Sequence, residues 1–254
     1  MLGMPDCPTS SIHVIAAYLF VDIDDATALH ARLAASAQKA QLKGTVLLAN
    51  EGINLCLAGS HEALVMWLES LRSDPRFAPI EVKWSQASAL PFRFLRLKVK
   101  REIIRMNQPT VRPSAQRASA VTSAQLKRWL DAGRCDEGRP VVLLDTRNNF
   151  EVDVGSFTGA LDWRLGKFSD FPEALAQHRA ALEGKTVVSY CTGGIRCEKA
   201  VLWMQSVGIA HVHQLHGGIL KYFEEQGSAA QAPHFEGACF VFDERGALDA
   251  GLSA

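Results

Sequence analysis

Cys191-Thr192-Gly193-Gly194-Ile195-Arg196-Cys197 is the stretch of this chain whose residue types and spacing could do chemistry. It follows a short apolar, β-rich run, TVVSY from Thr186 to Tyr190. It precedes EKAVLWMQSV, in which Ala200, Val201, Met204 and Val207 fall at helical spacing. The pattern predicts a strand, a tight loop and a helix start. Gly193 and Gly194 let the backbone curl so that successive N–H groups converge where the Cys191 sulfur would sit. The helix N-terminus adds partial positive charge and Arg196 can add a full one, so an anion is favoured there. Such surroundings lower a thiol pKa from about 8.5 to roughly 3.5–7.5, which makes Cys191 the candidate catalytic nucleophile. Cys197 has two readings: it resolves an oxidised Cys191 through a disulfide, or it is a packed cysteine at a helix start, and the second is preferred.

Two further groups of reactive residues lie outside this loop. Asp145-Thr146-Arg147 follows the buried run from Val141 to Leu144, at the carboxyl end of a strand, where ligand-side residues gather in open α/β sheets. Asp145 and Arg147 are read as supporting residues, a structural ion pair that orients loops rather than reacting groups. His211, His213 and His216 lie within six residues. His211 and His213 share a strand face with no carboxylate or thiol at ligand spacing, and no CxxC pair exists. A polar strand face is therefore favoured, and no metal site is expected.

The elements that must position the loop follow from periodicity. Alternating strands and helices in the C-terminal half imply a parallel sheet covered on both faces. Its first helix opens at Thr122 and Gln125, at capping-box spacing, and closes at Gly133; Pro172 begins another. In the N-terminal half, Ile12 to Phe20 reads as a strand. A helix capped by Asp24 or Asp25 then runs through Leu42 and is closed by Gly44. TVLLA and INLCLA form a hairpin about Asn50-Glu51-Gly52. Ser60 caps a second helix with Leu64, Trp67, Leu68 and Leu71 on one face, and Ile80, Val82 and Trp84 alternate as a strand. This βαββαβ order is the ferredoxin-like arrangement of a four-stranded antiparallel sheet backed by two helices. It hosts many functions and identifies none.

The expected division is a ferredoxin-like domain over 1–107, a linker over 108–120 rich in Pro, Ser and Ala, the second α/β domain over 121–228 and a C-terminal tail over 229–254. Segment 92–105, FRFLRLKVKREIIR, is the most basic part of the chain. Arg93, Arg96, Lys98, Lys100 and Arg105, beside Phe92 and Phe94, suit a phosphate backbone and a stacked base, or equally a solvated edge strand guarded by cations. Global charge points to no polyanion, since 27 Lys and Arg balance 27 Asp and Glu in 254 residues. An apolar content of 48% and a charged content of 21% are those of a soluble globular protein. No apolar run reaches membrane-spanning length, and MLGMPDCPTS lacks the pattern of a signal peptide, so a cytoplasmic protein is expected. The six cysteines, scattered apart from 191 and 197, fit a reducing compartment.

The Cys191 loop resembles the active-site loop of rhodanese domains, which carry a persulfide on the first cysteine. DTRNNFEVDVGSFTGA, from Asp145 to Ala160, resembles a second rhodanese signature, departing at Ser156, where generic rhodaneses often carry histidine. In cysteine phosphatases five residues separate nucleophile and arginine. Here only Thr192, Gly193, Gly194 and Ile195 intervene, a smaller ring suited to sulfur or a similarly compact group. Together with LLANEGINLCLAGS, LHGGILKYFEE and CFVFDER, these motifs resemble the rhodanese-like tRNA uridine hydroxylases over nearly the whole chain. The resemblance implies an α/β protein with a rhodanese-like second domain. It implies oxygen-dependent conversion of the tRNA wobble uridine to 5-hydroxyuridine, with the catalytic cysteine at Cys191. The anticodon loop of tRNA is then the partner, with no membrane and no obligate protein partner. Molecular oxygen is the co-substrate, no cofactor is identified, and the reductant is left open. Longer members carry a cysteine-rich C-terminal extension, which is expected to be absent from a chain ending at Ala254. Two rival readings stay open: a thiosulfate or persulfide sulfurtransferase needing only the Cys191 loop, and a noncatalytic binding module.

Overall fold

A computed structural model describes residues 12–228 and 231–254. The N-terminal segment read above for a signal peptide lies outside the described residues. The first domain is built from β1 (Ile12–Phe20), α1 (Ala26–Lys39), β2 (Lys43–Ala49), β3 (Gly52–Gly59), α2 (His61–Arg72), β4 (Val82–Ala87) and β5 (Leu95–Val99). Its sheet order is β4-β1-β3-β2-β5, antiparallel throughout except that β5 runs parallel to β2. The expected four strands are present, and the basic stretch contributes a fifth at the free edge. On one face Ile15, Ala17 and Leu19 of β1 pack with Leu29, Leu33, Leu64 and Trp67 of the two helices. Alternation sends Ala16, Tyr18 and Phe20 to the opposite face, against the second domain.

Helix α1 differs from expectation at both ends. Asp25 is its N-cap but makes no side-chain cap, because its carboxylate binds the Arg76 guanidinium instead. The helix ends before Gln41, which takes a left-handed φ of 55° while Leu42 N–H reaches back to the Ala37 carbonyl. These are the bonds of a Schellman end made without glycine. Gly44 serves strand pairing instead: a Cβ there would stand 2.1 Å from the Cys56 carbonyl oxygen.

The second domain comprises β6 (Ala120–Val121), α3 (Ser123–Ala132), β7 (Val141–Asp145), α4 (Asn149–Val152), β8 (Gly155–Phe157), β9 (Leu161–Asp162), α5 (Phe171–His178), β10 (Thr186–Tyr190), α6 (Ile195–Ser206), β11 (Val212–Leu215) and α7 (Gly218–Gln226). Its main sheet is parallel, in the order β6-β11-β10-β7-β9. Central β10 is buried at every residue, so its apolar run does not alternate. Thr122 caps α3 by accepting the Gln125 N–H, and Gly133 closes it at φ 67°. In the histidine-rich strand His213 bonds the Ser119 hydroxyl at 2.6 Å, and beyond it His216 meets Glu81 at 3.1 Å.

Segments expected as linker and tail are packed structure. Val111 and Ala118 are buried in the core of the second domain, and the Ala118 N–H donates to the Glu198 carboxylate. Within 229–254, described over 231–254, β12 (Phe235–Gly237) pairs with β8, while β13 (Cys239–Phe240) and β14 (Ala247–Leu248) form a hairpin. Its Cys239, Val241, Leu248 and Ala250 complete the same domain's core. Among the described residues no helix is long and apolar enough to cross a membrane.

Candidate active site

The loop between β10 and α6 curls as its glycines allow. Gly194 has φ 101° and its N–H donates to the Cys191 sulfur at 3.1 Å. Gly218, at φ 68°, lets the start of α7 approach: a Cβ there would lie 2.4 Å from the Cys191 carbonyl, which accepts from the Ile219 N–H at 2.9 Å. Burial pushes the Cys191 thiol up, but the Cys197 thiol, the Arg196 charge and the N–H groups of Arg196 and Gly194 outweigh it and bring the pKa down to about 5. Cys197, fully buried, is pushed the other way by burial and by its Cys191 neighbour, so it stays a thiol and stabilises the Cys191 thiolate.

Arg196 reaches away from the sulfur. Its guanidinium binds Glu151 through both oxygens, at 2.5 and 2.7 Å, with Arg196 6% and Glu151 0% exposed. Glu151 also accepts the Thr192 hydroxyl at 3.4 Å and the Asn148 N–H at 3.0 Å. The Arg196 guanidinium therefore acts on Cys191 through its field, with one N–H of each terminal nitrogen committed to Glu151, while the backbone N–H of Arg196 bonds the sulfur directly. Behind this pair Arg147 holds Asp145 at 2.6 Å and donates to the Gly155 carbonyl at 2.6 Å, both side chains fully buried. Asp145 and Arg147 thus tie β7 to β8 and do not line the cavity in front of Cys191.

That cavity, of about 520 Å³, lies between the two domains and falls in the size range of small-molecule sites. Cys191, Thr192 and Gly193 border it on one side. Tyr18 and Lys83 border it from the first domain, and Val241 and Phe242 from the C-terminal hairpin. A Cβ on Gly194 would stand 2.8 Å from the Tyr18 hydroxyl, so the first domain closes directly over the loop. Lys199, 2% exposed on α6, locks the domains together through Glu51 at 2.8 Å and Glu102 at 2.7 Å. Arg245 of the hairpin adds a bond to Ser85 of β4 at 2.8 Å.

Of the basic residues, Arg105 lines the cavity. Arg96 and Lys98 stand exposed on β5, at the opposite edge of the sheet from β4 and about 19 Å away by strand spacing. Arg93 pairs with Glu244 at 2.7 Å, and Lys100 is exposed just beyond β5. The sequence reading missed Tyr18, Lys83 and the pairing of Glu151 with Arg196. The available signal was β1 itself: IHVIAAYLF is apolar on both faces, which an antiparallel strand needs only when both faces are covered.

An activated thiolate at a strand–helix loop of a parallel α/β domain, roofed by a second domain, defines a two-domain rhodanese-type protein. Residues 122–225 match the rhodanese-like domain, and residues 12–103 match the UPF0176 acylphosphatase like domain. Proteins named tRNA uridine(34) hydroxylase align along nearly the whole chain. The one from Bordetella avium is 60% identical over 95% of this chain and 98% of its own. Those from Variovorax paradoxus and Delftia acidovorans are 58% identical over 94% and 90%, and 54% identical over 96% and 91%. The chain belongs to the tRNA uridine(34) hydroxylase family and is an enzyme.

Proposed function

We propose that this enzyme hydroxylates C5 of the uridine at the tRNA wobble position, with molecular oxygen as co-substrate and Cys191 as the catalytic residue. The observation that carries the reading is the Cys191 thiolate at the border of a cavity roofed by the first domain, in a chain 60% identical to a protein named for that activity. One oxygen atom enters the base and the other leaves as water, which takes two electrons from an external reductant. The thiolate, or its persulfide, meets the base while the loop N–H groups hold developing charge.

Wobble bases sit in a single-stranded loop, where recognition uses stacking and backbone contacts. Phe242 suits stacking: it is 64% exposed at the cavity border and packs edge-to-face on Phe150 and Phe240. Arg105 would meet the phosphate nearest the base. Arg96, Lys98 and Lys100, with Arg93 once it leaves Glu244, would meet phosphates farther along the tRNA. A rhodanese-type sulfurtransferase would use the same loop without RNA, and the roofing domain would then have no part in substrate binding.

The discriminating experiment supplies purified enzyme with unmodified tRNA, oxygen and a reductant, or with thiosulfate and cyanide. Formation of 5-hydroxyuridine with little thiosulfate turnover supports the hydroxylase. Fast sulfur transfer without hydroxylation refutes it.

A further inference from the structure

Two cations at the border of the Cys191 cavity differ, one gripping a carboxylate and the other with no hydrogen-bond partner among the described residues. Arg196 gives two donors to Glu151. Lys83, half-buried on β4, makes no hydrogen bond or salt bridge with any described residue, and its ammonium stands 5.4 Å from the centre of the Tyr18 ring. Ala16 of β1 is its partner in register, so Lys83, Ala16 and Tyr18 leave the same sheet face, the one turned toward Cys191. The Lys83 stem passes over the turn that supports the loop: a Cβ on Gly217 would lie 3.4 Å from Lys83 Cε. Burial lowers the Lys83 pKa, opposed by Glu81, the Cys191 thiolate and Glu224 and reinforced by Lys221. A lysine so placed gives up a proton more readily than an exposed one.

We propose that Lys83 and Cys191 form one anion-binding pair across the domain boundary, and that Lys83 is a catalytic residue that holds a carbonyl oxygen of the pyrimidine. This rests on the hydroxylase reading above. When sulfur bonds to C6, the C5=C6 π pair moves through C4 to O4, and that oxygen gains the charge the thiolate loses. A free ammonium at the same cavity is placed to hold the charge or to protonate the oxygen. The enolate so formed is electron-rich at C5, the carbon that takes one oxygen atom of O2 while the external reductant carries the other to water. Loss of the C5 proton then returns the C6–S electron pair to sulfur, restoring C5=C6 and the Cys191 thiolate. The Tyr18 ring faces the Lys83 ammonium, and its hydroxyl lies over Gly194.

The test reads the pair with and without RNA, on the full-length protein, in Lys83→Met, which keeps the packed stem, and in Lys83→Arg, which keeps the charge. The first readout is the ratio of Cys191 alkylation rates with iodoacetate and with iodoacetamide. The ratio should fall roughly tenfold in Lys83→Met and stay within about threefold of wild type in Lys83→Arg. The second is tRNA hydroxylation, in which Lys83→Met should lose about 10²–10³ in kcat, the cost of removing one oxyanion donor, with KM for tRNA little changed. An unchanged alkylation ratio, or a Lys83→Met enzyme with full kcat, overturns the proposal. If the ratio falls but wild type fails to hydroxylate, the anion-binding pair stands and the hydroxylase reading is what fails.

Discussion

At the scale of single residues the site is a thiolate whose neighbours have separate tasks: N–H groups bond it, Cys197 donates to it, and Arg196 acts from a distance while gripping Glu151. Depression of the Cys191 pKa sets the pH dependence. A group ionised above about 5 keeps its alkylation rate nearly constant from neutral pH down to about pH 6 and loses it as pH falls through 5, whereas an ordinary thiol loses it below about 8.5. Stopped alkylation assays from pH 4 to 9 check this. Cys197→Ala removes a donor to the thiolate, so the midpoint should rise; if Cys197 acts instead as an obligatory resolving thiol, the same variant loses all turnover. Glu151→Ala leaves the Arg196 guanidinium buried without its partner and should cost about 3–5 kcal/mol in urea unfolding.

Whole elements place these residues. Gly218→Ala would put a Cβ against the Cys191 carbonyl at a left-handed φ. It should disorder the loop and raise the alkylation midpoint, while the intrinsic backbone penalty is only about 1–2 kcal/mol. The C-terminal hairpin carries Phe242, so Phe242→Ala should weaken tRNA binding by about 1–3 kcal/mol per stacked base, measured by filter binding. Arg96→Gln on β5 should reduce the salt slope of binding by about 1. How much of this was legible in the sequence depends on range. Strands β1 to β4, helix α2, the cap at Thr122 and the strand–Cys191–helix unit are set by local spacing and hydrophobic period, and they read correctly. Asp25 diverted to Arg76 depends on a partner 51 residues away, and Gly44 is claimed by strand pairing against Cys56, leaving Gln41 to take the left-handed helix end. Lys83 and Tyr18 sit on strands of another domain, and no linear spacing links them to Cys191.

For the molecule as a whole, the cavity exists because two domains are fixed face to face. Lys199 is the main polar fastening, with Glu51, Glu102 and the Ile104 carbonyl around one buried ammonium. Lys199→Met leaves two carboxylates facing each other and should destabilise the protein by about 3 kcal/mol, with the first domain separating at lower urea than the second. The packed segment 231–254 seals the other side through Arg245 and the Val241 and Leu248 contacts. What joins these parts is the proposed hydroxylation of the wobble uridine, with oxygen, by the Cys191 thiolate in this cavity. The most direct measurement is nucleoside mass spectrometry on tRNA from cells lacking the modification, complemented with wild type or Cys191→Ala, with and without oxygen. The proposed function requires 5-hydroxyuridine with wild type in oxygen alone. Its appearance with Cys191→Ala, or its absence with folded, well-expressed wild type in oxygen, would contradict it.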